Sequence, residues 1–277
     1  MWFETETALL SAQTPETGRG SQQGRWHGTV FPQWRIGDNP HGGYLAALAL
    51  RALQSLCPEQ PDPLSCTVHF LRPGIAGAPC EVQANIIKPG RLASVGRATL
   101  IQDSKPRLEV LAAMGQLPSP DDAGAQPPPT LTLTPPELPP PEDCPMRSAA
   151  AQGVALPLLE RLDIRLHPDQ AAAGAAGAAV VSGWISLRDG APTDSLAALV
   201  FADAFPPSVF GLLGEVGWVP TLELTVQLRA APTGTWLRGA FETRDLAGSQ
   251  MIEDGALWDS SGRLIAQSRQ LALVMRS

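Results

Sequence analysis

The sequence is poor in the features that would announce a function at once. No run of Lys and Arg is dense enough for a basic footprint, and the formal net charge is −7. A nucleic acid is therefore not an expected partner. The longest apolar stretches fall well short of the roughly 20 residues that a spanning helix needs, and Ala171–Val181 is rich only in Ala and Gly. Met1-Trp2-Phe3-Glu4 is not a basic-then-apolar leader, so secretion is not indicated and a cytoplasmic location is expected. Cys57, Cys66, Cys80 and Cys144 show no CxxC or other metal spacing and are expected to be reduced and mostly buried. His27, His41, His69 and His167 are scattered without an HxxxH-type spacing, which argues against a metal site. A Gly-x-Ser-x-Gly elbow is missing, so a serine hydrolase has little support. Gly74-Ile75-Ala76-Gly77 has neither the spacing nor the following helix of a dinucleotide fingerprint.

What the chain does have is a long internal repeat. His41-Gly42-Gly43-Tyr44-Leu45-Ala46-Ala47-Leu48 through Leu53 is echoed by Thr193-Asp194-Ser195-Leu196-Ala197-Ala198-Leu199 through Ala204. Cys66-Thr67-Val68 through Gly74 answers to Leu224-Thr225-Val226 through Pro232. A period this long reads as two similar half-domains in tandem rather than a solenoid, and 277 residues suffice for both.

Between the copies, residues 118–145 contain Pro127-Pro128-Pro129, Pro135-Pro136 and Pro139-Pro140-Pro141. That density forbids helix interiors and central strands, so an extended connector is expected. The halves are then 1–117 and 146–277. In the first, Tyr44–Leu53 is apolar nearly all round, as in a helix wrapped by other structure. Cys80–Ile87, Ala93–Gln102 and Arg107–Gln116 are strand-like runs split by turn signals, and Trp236–Thr243, Gln250–Trp258 and Arg263–Val274 repeat the rhythm. One apolar helix with an antiparallel meander, twice over, predicts an α+β fold with a sheet around each helix.

These residues resemble the hotdog-fold thioesterases, specifically the double-hotdog acyl-CoA thioesterase II-like family. Asn39-Pro40-His41-Gly42-Gly43-Tyr44, Thr67–Pro73, Pro89-Gly90-Arg91, Asp203, Pro220-Thr221 and Ala266–Gln270 fall in that family's order. The resemblance spans nearly the whole chain except the extreme N-terminus and the connector. It implies a hydrolase of acyl-CoA thioesters, active without cofactor or metal and without a covalent nucleophile. It also implies that Asp203, Thr221 and Gln270 activate and orient a water. Phe205-Pro206-Pro207 departs from the pattern and should end or kink the helix just after the acid. A homodimer or larger homo-oligomer and a role in fatty acid metabolism also fit the resemblance.

Aligning the two Leu-Ala-Ala-Leu segments sets Asp203 over Ala52 and Asp194 over Gly43. These positions are about 14 Å apart along a helix, so the acid cannot reach its own helix N-terminus. It reaches the other one if the helices pack antiparallel, as hotdog pairs do. The N–H groups at Gly42 and Gly43 then polarise the thioester carbonyl, with His41 and Tyr44 lining the pocket. Thr193, Asp194 and Ser195 instead cap the second helix. One working site and one vestigial site follow, the latter with Ala52 for the acid and about Met114 for the glutamine. The acyl chain is expected between helices and sheet, near Tyr44, Leu48 and Phe201, and Arg72, Lys88 and Arg91 are candidates for the coenzyme A phosphates.

Simpler roles exist for each residue. Asp203 can be a helix-end cap, Thr221 a strand start, Gln270 an exposed strand residue and His69 a packed one. Two other functions stay open. A hotdog hydratase or dehydratase would need His41 as a base, and a non-catalytic acyl-thioester binder would need no acid at all.

Overall fold

The computed structural model describes residues 1–11, 16–18, 21–118, 129–214 and 218–275. Residues 119–128 of the expected connector, with Pro127 and Pro128, lie outside the described residues.

The first half opens with α1 (Trp2–Glu6), β1 (Leu10–Ser11), β2 (Glu16–Gly18) and β3 (Ser21–Thr29). A small pair, β4 (Arg35–Ile36) and β5 (Asn39–Pro40), leads into α2 (Gly42–Leu56). The meander β6 (Asp62–Phe70), β7 (Pro79–Lys88), β8 (Ser94–Gln102) and β9 (Lys105–Gly115) completes it. The second half carries α3 (Ala149–Gln152), β10 (Leu162–Leu166), β11 (Val180–Leu187), α4 (Ser195–Phe201) and α5 (Phe210–Leu213). It closes with β12 (Thr221–Leu228), β13 (Leu237–Ala247), β14 (Gln250–Asp259) and β15 (Leu264–Leu273).

α2 forms where Ala and Leu dominate and β-branched residues are missing. His41 caps it, its Nδ1 accepting the Tyr44 N–H, and the Cys57-Pro58 step stops it. Ten residues of the run 43–53 are buried, as an all-round apolar helix requires. β3, β7, β8, β9 and β6 wrap it; α4 lies beside β12 and β15.

One antiparallel sheet spans both halves in the order β1-β3-β7-β8-β9-β6-β12-β15-β14-β13-β11-β10, with β2 on β3. The halves join where β6 pairs with β12. There Thr67 lies opposite Thr225, and their hydroxyls are 3.0 Å apart. These threonines hold equal places in the two repeats, so a pseudo-twofold axis passes between them. This is the α+β double hotdog that the repeat predicts. The described part of the connector crosses the second sheet, where Trp258 Nε1 donates to the Leu133 carbonyl at 3.0 Å and Trp184 Nε1 to Pro139 at 2.9 Å.

Two expectations change. The second helix is half the length of the first and ends at Phe201, two residues before the acid. Tyr44, Leu48 and Phe201 have no exposed surface; they are packed core and do not line an open tunnel.

The N-terminal helix, for which the repeat has no counterpart, ties the halves together. Glu6 is buried and receives two charge-assisted hydrogen bonds from Arg161 of the second half, Nη2 at 2.6 Å and Nε at 2.8 Å. It also accepts Trp34 Nε1 at 2.7 Å. Removing one partner of such a pair strands the other charge. Glu6→Ala is expected to lower the unfolding free energy by about 3 kcal/mol, read by urea titration; a loss within error would show the pair to be dispensable.

Candidate active site

The two helices run antiparallel. Asp194, at the start of α4, lies 3.4 Å from Arg51 near the end of α2, and Asp203, just past the end of α4, meets the start of α2. The Gly43 N–H donates to Asp203 Oδ2 at 2.7 Å. His41 Nε2 lies 2.9 Å from the Asp203 carbonyl and 3.3 Å from Oδ2. Because His41 Nδ1 accepts from Tyr44, the ring proton is assigned to Nε2, which donates to Asp203.

The two glycines leave little room at this crossing. A Cβ on Gly43 would lie 3.1 Å from the Asp203 Cβ, from His41 Cε1 and from the Val200 Cα. A Cβ on Gly42 would meet the Phe70 ring at 2.9 Å and Asp203 Oδ2 at 3.0 Å. The side chains these glycines lack are what let the acid reach the helix end.

Asp203 sits in a tightened turn, its N–H bonded to the Val200 carbonyl at 3.1 Å. The helix ends before the Pro206-Pro207 step, and the acid stays at the α2 N-terminus. Its side chain is 10% exposed. Burial raises its carboxyl above the ordinary aspartate value, while His41 and the Gly43 N–H pull it back down. Oδ1 has no hydrogen bond to a described residue.

Thr221 and Gln270 meet across β12 and β15, with Gln270 Nε2 donating to Thr221 Oγ1 at 2.8 Å. A bulge makes this possible. The register slips between Thr221 and Glu223, so Thr221 faces Ala272 while Leu224 faces Gln270. Leu224 and Ala272 are buried, so both polar residues share the inner face with them. Without the slip Thr221 would lie with Glu223 and Thr225 on the outer face.

The same slip occurs between Pro63 and Ser65 in the first half. Pro63 is thus the counterpart of Thr221. Cys66 faces Ala112 as Leu224 faces Gln270, so the counterpart of Gln270 is Ala112, not Met114. Ala52, which the alignment sets over Asp203, is buried.

Other candidates go elsewhere. The Tyr44 hydroxyl donates to the Glu6 carbonyl at 2.7 Å, and its ring stacks on Trp34 at 5.0 Å. Tyr44 is buried, its phenol raised far above the ordinary value mainly by burial, and it supports the core. Arg72 lies beside Pro106, at the Phe70 end of β6. Lys88 and Arg91 lie at the opposite end of the sheet, where Gln60 Nε2 bonds the Arg91 carbonyl at 3.1 Å. These three cations do not converge. All four cysteines are buried and unpaired; burial pushes the Cys66 thiol up to about 12 and Cys80 up to about 11, which makes poor nucleophiles of them. No helix among the described residues is long and apolar enough to cross a membrane.

Comparison with known proteins places the chain in a family. Residues 31–115 match the acyl-CoA thioesterase N-terminal domain, and residues 141–274 match the acyl-CoA thioesterase C-terminal domain. A Thermobifida fusca YX crystal structure, provisionally described as a thioesterase II, is 30% identical with a TM-score of 0.82. The likeness covers 99% of this chain and 97% of that one. The chain belongs to the acyl-CoA thioesterase family. The acyl-CoA thioesterase II TesB2 of Mycobacterium marinum shares the fold, with a TM-score of 0.72 at 19% identity over 99% of this chain and 98% of that one. A Mycobacterium tuberculosis protein described as uncharacterized is 29% identical over 90% of each chain.

For this member of the thioesterase family, sequence reasoning missed one polar side chain. Glu253 is buried on β14 opposite Gln270. A carboxylate inside the alternating pattern of β14 was its visible signal.

Gly43→Ala is the direct test of the helix crossing. Alanine gains about 1 kcal/mol of helix propensity, yet its methyl must push against the α4 backbone. Activity is expected to fall on the order of 10-fold or more while the circular dichroism spectrum stays native. Unchanged turnover would mean the close approach is not needed.

Proposed function

We propose that this protein hydrolyses acyl-CoA thioesters at one asymmetric site shared by its two halves. The observation that carries the reading is the Asp203 carboxylate set against the N-terminus of α2, where the equivalent residue of the other half is Ala52. Asp203 Oδ1 takes a proton from a water oriented by Thr221 and Gln270, and the water oxygen attacks the thioester carbon. The N–H of Gly43 is already given to Asp203. The Gly42 N–H and the positive end of the α2 dipole therefore receive the developing oxyanion. As the tetrahedral intermediate collapses, the C–S bond breaks and the proton on Asp203 passes to the sulfur. The products are the free acid and coenzyme A. The paired Thr221 and Gln270 against Pro63 and Ala112 support the same division of labour.

His41 acts on Asp203 rather than on substrate. Both of its nitrogens are engaged by the protein, which leaves none to take a proton from an α-carbon as a hydratase would need. The half-domains 1–117 and 146–277, with 118–145 as connector, complete the proposal.

The test is coenzyme A release, read with a thiol reagent, from acetyl- to palmitoyl-CoA. Asp203→Asn is expected to lose about two orders of magnitude or more; near-normal release by that variant would remove Asp203 from the chemistry. A second consequence follows from its raised carboxyl. The folded state holds that proton more tightly than the unfolded chain does. The stability this contributes is complete below the unfolded value and is lost as pH rises through the folded value. Ionised Asp203 therefore costs the fold stability at neutral pH. Asp203→Asn should melt no lower than wild type at pH 7, and a clear drop in Tm would contradict that sign. In wild type, the acid limb of kcat/KM should lie above the ordinary aspartate range.

A further inference from the structure

The polar asymmetry between the halves extends beyond Asp203, Thr221 and Gln270. Across the second sheet the inner-face neighbours run Leu224, Gln270, Glu253 and Thr243. The matching row of the first sheet runs Cys66, Ala112, Gly96 and Ile86. Glu253 thus stands where the first half has glycine. A Cβ on Gly96 would lie 2.6 Å from Leu53 Cδ2, because α2 continues over that place.

In the second half α4 has already ended. The chain turns at Pro206-Pro207, and Ser208 comes down over Glu253. The Ser208 N–H donates to Glu253 Oε2 at 2.7 Å, and Ser208 Oγ lies 2.8 Å from Thr243 Oγ1. On the other side of the prolines, buried Arg147 donates from Nη1 to the Ala204 carbonyl at 2.7 Å. The corner 204–208 is therefore tied at both ends, and Asp203 is the residue immediately before it. Burial raises the Glu253 carboxyl; Ser208 opposes this, and the charges of Asp203 and Asp254 add to it. Burying a second carboxyl beside the first is costly unless it has a task.

We infer that Glu253 is a positioning residue for Asp203. By fixing Ser208 it sets the Pro206-Pro207 corner from which the acid reaches the N-terminus of α2. This rests on the proposed role of Asp203. Holding Ser208 needs an acceptor oxygen rather than a charge, so glutamine should serve and leucine should not.

The experiment compares wild type, Asp203→Asn, Glu253→Gln, Glu253→Leu and the double variant Asp203→Asn/Glu253→Leu in coenzyme A release. Glu253→Leu should lose about tenfold or more in kcat with KM within about twofold of wild type. Glu253→Gln should recover most of that loss. The double variant should be no slower than Asp203→Asn alone, because Glu253 acts through the acid. If leucine does not fold, Glu253→Met, unbranched and of similar length, takes its place. A folded Glu253→Leu or Glu253→Met with wild-type kcat would overturn the inference, as would glutamine falling as far as leucine. Full activity in Asp203→Asn would instead overturn the reading on which it rests.

Discussion

The hydrogen bond from the Gly43 N–H to Asp203 Oδ2 is the contact on which the architecture converges. It requires two antiparallel helices from different halves, glycine at the helix entry and an acid beyond the end of the partner helix. It also places a carboxylate where unsatisfied N–H groups and the helix dipole favour negative charge. The fold supplies each condition. Pairing of β6 with β12 fixes the pseudo-twofold relation, and the missing side chains of Gly42 and Gly43 close the gap. The mirror-image crossing is occupied by Asp194, which caps its own helix through the Ala197 N–H at 2.6 Å and faces Arg51. One end of the helix pair thus sets a carboxylate against the partner helix's N-terminus, and the other holds a self-capped helix start and an ion pair.

Much of this was legible in the amino-acid order because it is local or repeated. The apolar helix run, the paired Leu-Ala-Ala-Leu segments and the turn signals identify two hotdog units, and the alignment sets Asp203 over Ala52. Other features depend on contacts between distant residues. A one-residue bulge between Thr221 and Glu223 decides which face Thr221 takes, and its twin after Pro63 shifts the counterpart of Gln270 from Met114 to Ala112. Counting residues along a strand cannot see such a slip.

The remaining differences have similar causes. Tyr44 follows the glycine pair in the chain, but its ring direction is set by Trp34 and Glu6, which the sequence does not bring near it. Lys88 and Arg91 lie close to each other in sequence, yet the strand direction carries them to the far end of the sheet from Phe70. Glu6 and Arg161 are 155 positions apart, so neither announces the other. The shortness of α4 was foreshadowed by Pro206-Pro207, although the helix stops earlier than proline alone demands, at the turn that presents Asp203.

A symmetric pair of identical chains could not be assembled in this way, because every position would appear at both helix crossings. The residue at the place of Ala52 and Asp203 would have to be the same in each. Within one chain the two places can differ, and the Thr67–Thr225 seam lies on the pseudo-twofold axis between the halves. The two equivalent crossings then carry different contacts: Asp203 meets the Gly43 N–H at one, and Asp194 faces Arg51 at the other.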